Sequence, residues 1–82
     1  MNETQVYDKV INLITPYVKN QEALASMNAD TRILEDLEVN SARLVDIVLS
    51  FEDEFDIEVE DEAADNIATI GDAVTLINAK IQ

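Results

Sequence analysis

Apolar residues return along this chain at helical rather than strand spacing. Val6, Val10, Leu13, Ile14 and Tyr17 fall three or four positions apart and predict a first helix over residues 3–18 with one buried stripe. Asn2 or Thr4 is placed to cap its start. Pro16 lacks an amide hydrogen and disfavours helical geometry at Thr15, so a kink or a short extra turn reaching Val18 is expected there. A second stripe, Leu44, Ile47, Val48, Phe51 and Phe55, predicts a helix over residues 41–56 with Arg43, Asp46, Ser50, Asp53 and Glu54 opposite. Val45, Leu49 and Glu52 fall on its flank, and the pattern leaves open whether those two aliphatics are exposed or form the rim of the core. Ile70, Ala73, Val74, Ile77 and Ile81 predict a last helix over residues 70–81, with Leu76 on its flank and Thr69 and Asp72 in a capping-box relation. Ala63, Ala64 and Ile67 suggest a short helix over residues 61–67.

The connections carry signals of their own. Residues 19–40 separate the first two helices, a long stretch for so small a domain. Gln21 to Met27 suit one helical turn, Asn28-Ala29-Asp30-Thr31 reads as a capped turn, and Ile33, Leu34, Leu37 and Val39 are expected to pin the segment to the core. Asp56-Ile57-Glu58-Val59-Glu60 alternates like a strand but has no partner strand, so it is read as an extended loop with Ile57 and Val59 turned inward.

Composition narrows the function classes. The 82 residues suit one domain, 1–82, and a hydrophobic share of 48% argues for a core rather than disorder. With 18 acidic residues against 5 basic ones, the net charge of −13 excludes nucleic acid as a partner and disfavours insertion into or binding to anionic membranes. Basic protein surfaces are the natural partners, and self-repulsion predicts a fold stabilised by salt or divalent cations. The absence of Cys and His removes disulfides, thiolate nucleophiles and a Ser-His-Asp triad. The acidic run from Asp53 to Glu62 lacks the Gly and ligand alternation of an EF-hand, so no specific metal site is expected. Residues 1–10 carry Glu3 and Asp8 without a basic lead or apolar run; no signal peptide and a cytoplasmic location are expected.

Ser41 stands where the long connection meets the second helix. Local chemistry alone favours a cap, held by Ser41 or shared with Asn40. A second reading is a covalent attachment point, since the unpaired amides and positive dipole end of a helix start suit a phosphodiester.

The segment Asp36-Leu37-x-x-Asn40-Ser41-x-x-Leu44-Val45-Asp46-Ile47-Val48, followed by Phe51-Glu52-Asp53-Glu54-Phe55, resembles the acyl carrier protein family. The likeness continues through Asp61-Glu62-Ala63-Ala64 and Ile67 to Val74, covering residues 30–80 well and the first helix loosely. It implies an all-α fold, a small four-helix bundle of three longer helices and one short one, with a long loop between helices 1 and 2. It also implies 4′-phosphopantetheine on Ser41, installed from coenzyme A by a phosphopantetheinyl transferase with Mg²⁺, whose thiol carries acyl groups as thioesters. That would import the thiol the chain lacks. The partners implied are acyl-transferring and acyl-modifying enzymes with basic docking patches, in fatty-acid, lipid or polyketide-type synthesis, served by a monomeric carrier that is not itself an enzyme. Asn40, Arg43, Val45, Asp46, Leu49, Glu52 and Asp53 are the candidate partner-binding residues, Asp46 foremost because it matches the family's acidic position.

The sequence departs from the family pattern around Ser41. Asn40 stands in place of the usual Asp, Ala42 in place of Leu, and Glu38 where Gly is frequent, so the turn before Ser41 is expected to differ. Arg43 puts a cation against the helix dipole; it either faces the prosthetic-group phosphate or an acidic feature of a partner, or is an exposed side chain of no consequence. The second helix's buried stripe, with Ile67, Ile70 and Leu76, reads as ordinary core at least in part, and the alternative is that it opens into a pocket for an acyl chain. Alternatives are a peptidyl or aminoacyl carrier, disfavoured by the missing Gly-Gly-x-Ser approach, and an unmodified acidic helical domain that binds a basic protein.

Overall fold

In the computed structural model, which describes residues 2–81, Asn2 opens the first helix, α1 (Glu3–Ile14). Its Oδ1 accepts from Gln5 N at 2.9 Å while Gln5 Oε1 accepts from Asn2 N at 3.0 Å, a reciprocal capping box that leaves Thr4 no capping role. The chain then tightens into a 3₁₀ turn, Thr15–Tyr17, with Pro16 at its start, where a missing N–H costs nothing. The expected extra turn is thus 3₁₀.

A second 3₁₀ helix, Gln21–Ser26, interrupts the long connection, and α2 (Ser41–Phe55), α3 (Asp61–Asp65) and α4 (Ile70–Ile81) follow. α2 stops one residue short of expectation because Asp56 adopts the left-handed conformation, φ 53°, and its amide bonds back to Glu52 O. α3 ends at Asp65 rather than 67; Asn66 N turns back onto the α3 carbonyls, and Ile67 drops into the core. Thr69 and Asp72 form the expected box: Thr69 Oγ1 accepts from Asp72 N, and the Asp72 carboxylate accepts from the Ala68 and Thr69 amides, each at 3.1 Å. Those two backbone donors hold the Asp72 carboxyl below the usual carboxylate range.

α1 packs most extensively against α4 and also against α2. Phe51 and Ile47 of α2, Val6, Val10 and Ile14 of α1, and Ile70 and Ile77 of α4 are fully buried. Each such side chain contributes about 1.5–3 kcal/mol relative to exposure. Leu44 is only half-buried, and it faces the cleft described below. Lys9 to Glu54 at 2.9 Å joins α1 to α2, and Lys80 to Glu60 at 2.9 Å joins the end of α4 to the segment before α3. Being exposed, these pairs orient surfaces more than they hold the fold.

The long connection is docked. Ile70 N donates to Thr31 O, Gly71 N to Ala29 O and Ile33 N to Ala68 O, at 2.8–3.0 Å, zipping residues 29–33 to the start of α4. Ile33, Leu37 and Val39 are buried as expected, but Leu34 is 36% exposed and pins nothing. Asp36 N and Leu37 N both turn back to Arg32 O, which sends Ile33 and Leu37 inward and Leu34 out. The Asp36 carboxylate accepts from Arg32 N at 2.9 Å and from its guanidinium at 3.2 Å, and these bonds hold its carboxyl below the usual range. Ile57 and Val59 are half-buried in an extended segment without a strand partner.

Candidate functional site at the start of α2

Buried Leu37 and Val39 anchor the approach to α2 on both sides of Glu38. Glu38 itself has φ 54°, the left-handed conformation that glycine takes freely. A residue bearing a Cβ is strained there by roughly 1–2 kcal/mol.

Asn40, not Ser41, is the N-cap: its Oδ1 accepts from Ala42 N at 2.9 Å. That overturns the capping reading of Ser41, which occupies the first helical position. The Ser41 hydroxyl is exposed and, among the described residues, joins no hydrogen bond. A hydroxyl at that position is available for chemistry without loosening the helix start.

Two dissimilar grooves border the start of α2, and Ser41 lines the first of them. On one side α2 and α3 enclose a cleft of about 450 Å³. Leu44, Val45, Val48 and Leu49 of α2, with Val59 and Ala64, make it apolar, while Glu52, Asp61 and Asp65 add carboxylates. Ile67, Ile70 and Leu76, which the pocket alternative placed here, are elsewhere: Ile70 is core, and Ile67 and Leu76 border a separate hollow between α3 and α4. On the other side, Pro16, Tyr17, Val18 and Lys19 face Asn40 and Arg43 across a groove of about 520 Å³.

The sequence candidates divide between these faces. At ~100° per residue, Val45, Leu49 and Glu52 lie within about 80° of Ser41 around the helix, whereas Asp46, Asp53 and Arg43 lie about 120–160° away. Val45 and Leu49 are 63% and 56% exposed, so they are surface rather than core rim. Glu52 is half-buried and engaged within the chain: its Oε2 accepts from Val59 N at 3.0 Å, fastening the segment before α3 to α2. Arg43 and Asp46 pair with each other at 3.0 Å. Glu54 is tied to Lys9, which leaves Asp53 as an exposed carboxylate of α2 without an ion pair among the described residues. Sequence reasoning did not find Lys19, Val59, Asp61, Ala64 or Asp65 at this site. Lys19 is far from Ser41 in sequence, and only the docking of Lys19 N and Asn20 N on Leu37 O, both at 3.2 Å, brings it near.

An accessible serine at a helix start beside an apolar cleft has close relatives. Residues 17–77 match the family described as phosphopantetheine attachment site. The acyl carrier protein of Prochlorococcus marinus is 35% identical over 80 residues, covering 98% of each chain. The chain belongs to the acyl carrier protein family. The carrier is also 34% identical over 80 residues to the acyl carrier protein of Picosynechococcus, covering 98% of this chain and 95% of that one. A solved acyl carrier protein structure from Enterococcus faecalis, 31% identical, superposes with a TM-score of 0.80 over 98% of this carrier and 99% of its own chain. The four α-helices and the long loop before the second agree with that fold. The prosthetic group of such a domain is phosphopantetheine. The free, exposed Ser41 hydroxyl beside an open cleft is chemically compatible with such a group. Among the described residues no helix is long and apolar enough to cross a membrane.

Proposed function

We propose that Ser41 carries the 4′-phosphopantetheine arm and that the carrier presents acyl thioesters to enzymes without catalysing a reaction itself. The observation that carries this reading is the division of labour at the start of α2. Asn40 caps the helix, which leaves the exposed Ser41 hydroxyl unshared. Ser41 supplies the oxygen when a transferase acts with coenzyme A: an Oγ–P bond forms, the P–O bond to the adenosine bisphosphate breaks, and the hydroxyl proton passes to the transferase. The arm, once bound, supplies the thiol that a chain without Cys lacks.

Partners are the transferase and acyl-handling enzymes whose basic patches meet α2. Val45 and Leu49 offer them exposed apolar contact, and Asp53 an available carboxylate. Asp46 is a weaker docking charge than its position suggests, because Arg43 already partners it. A monomer acting in the cytoplasm completes the reading.

The test is intact mass after incubation with coenzyme A, Mg²⁺ and a broad-specificity phosphopantetheinyl transferase. A gain of one phosphopantetheine, absent in Ser41→Ala, is expected. No gain in the parent chain, or an undiminished gain in Ser41→Ala, refutes the assignment.

A further inference from the structure

We propose that the groove lined by Lys19, Asn40 and Arg43 seats a carboxylate of a partner enzyme, so that the partner patch this carrier fits is bipolar, a row of cations bordered by an acid. The inference deepens the carrier reading above by naming the chemistry of the surface that α2 meets.

Charge is the first argument. The chain has 5 basic residues against 18 acidic ones, yet two of the five, Lys19 and Arg43, line this one groove. Lys9, Arg32 and Lys80 are each engaged with carboxylates elsewhere on the surface. Lys19 is exposed and has no ion pair among the described residues. It does not ride on a loose loop: its amide and that of Asn20 both donate to Leu37 O, and Val18 before it is buried. Asn40 adds a neutral donor. Its Oδ1 is committed to Ala42 N, while its Nδ2 donates to none of the described residues. Three groups suited to an anion thus line one groove of a chain whose net charge is −13.

The order of residues around α2 is the second. At ~100° per residue, Leu49, Asp53, Asp46 and Arg43 follow one another in steps of about 20–60° across its exposed arc. A partner laid across the helix therefore meets an apolar strip of Val45 and Leu49, then carboxylates, then the basic groove. A patch that is basic throughout would set a cation against Lys19 and Arg43. Like charges placed opposite each other suppress wrong partners.

The Arg43–Asp46 pair sharpens the selection. Both side chains are exposed, so their 3.0 Å pairing is readily exchanged. A partner carboxylate that takes Arg43 leaves Asp46 to a partner cation, and one internal pair becomes two across the interface. A patch of cations alone must instead compete with Arg43 for Asp46. The pair therefore favours a partner that brings both signs in the right order.

Two synthetic helical peptides of equal length and equal net charge test this. One presents a row of Lys only; the other adds two Lys balanced by two Glu along one edge. Affinities for the parent and for Lys19→Gln/Arg43→Gln are measured by ¹⁵N NMR titration at low salt, on the chain with and without the arm. The parent is expected to bind the Glu-bearing peptide more tightly, with shifts at Tyr17, Lys19, the Asn40 side-chain amide and the Arg43 Nε–H. The Lys-only peptide is expected to shift Asp46 and Asp53 and to leave those groove groups unmoved. The ratio of the two affinities is expected to fall about threefold or more in the double variant. A ratio that the double variant leaves unchanged, or a parent that prefers the Lys-only peptide, overturns the proposal. So does inorganic phosphate binding the groove more tightly than the Glu-bearing peptide, which would make it a small-anion site. Peptide binding does not need the arm, so a chain that gains no mass fails the Ser41 assignment while the affinity ratio still decides the groove.

Discussion

Gly71 is the position where a single methyl group most sharply tests how the loop before Ser41 is held. A Cβ built there would lie 2.9 Å from Ala29 O and 3.2 Å from Ala29 Cβ. The nearer atom is backbone, and it already accepts the Gly71 N–H at 2.8 Å. It cannot swing aside as a side chain would, so the loop must lift. Two effects compete in Gly71→Ala. Alanine is the better helix former by about 0.8–1.0 kcal/mol in a helix interior. Against it stand overpacking, typically about 1–3 kcal/mol, and weakening of a hydrogen bond worth about 0.5–1.5 kcal/mol. The balance is a net loss of about 1–3 kcal/mol, and in a domain of this size each kcal/mol corresponds to a Tm drop of roughly 4–8 °C. Urea unfolding followed by circular dichroism measures it, with Thr75→Ala, an exposed site on the same helix, as the control expected to gain a few tenths of a kcal/mol. Amide shifts in the Gly71→Ala protein are expected to concentrate at residues 28–33. If Gly71→Ala is as stable as the parent or more so, helix propensity has won, and the loop is not docked on α4 as described.

Two further predictions concern charge and surface. Asp36, Glu60 and Asp72 all have folded pKa values below their unfolded ones, each chiefly through a hydrogen bond to the charged form. Their contribution is therefore complete above the ordinary carboxylate range and is lost as pH falls through their folded values. Meanwhile repulsion within a chain of net charge −13 relaxes as other carboxylates protonate. A Tm scan is expected to hold or rise from pH 7 to about 5 and to fall steeply below about 4; a steady fall across the whole range refutes this sign analysis. Separately, Val45→Ser and Leu49→Ser are expected to change stability by no more than about 0.5 kcal/mol each, while weakening partner binding measured by surface plasmon resonance. Ile47→Ala, two residues from both, is expected to cost about 2–5 kcal/mol. Comparable destabilisation by all three would place Val45 and Leu49 in the core instead.

Helix positions were the most legible part of the fold because each apolar stripe is long enough to specify one buried face. The start of α4 could be read to the residue, since Thr69 and Asp72 cap it through local bonds that depend on nothing distant. Ends were harder to read wherever the deciding geometry was a single backbone angle. The left-handed Asp56 ends α2, and no periodicity registers it. Leu34 misled for a related reason: its hydrophobicity matches that of its neighbours, and only the turn onto Arg32 O decides which of them face inward.

The site shows the same division between local and distant causes. A short polar residue before a helix predicts a cap, and both Asn40 and Ser41 satisfied that rule, so sequence chemistry favoured a cap held or shared by Ser41. The bond from Ala42 N to Asn40 Oδ1 resolves the ambiguity and moves Ser41 from structural to available. Glu38 follows the same logic. Its backbone is left-handed without a glycine, so strain sits at the approach to Ser41 while buried Leu37 and Val39 clamp it on either side. Lys19 could not have been associated with Ser41 from spacing, because the contact between their segments depends on Leu37 O accepting two amides from the end of the first helical region. What local rules left undecided at this junction is thus settled by a few backbone bonds. The same bonds bring Lys19 to a groove with Asn40 and Arg43, while Ser41 itself lines the apolar, acid-bearing cleft.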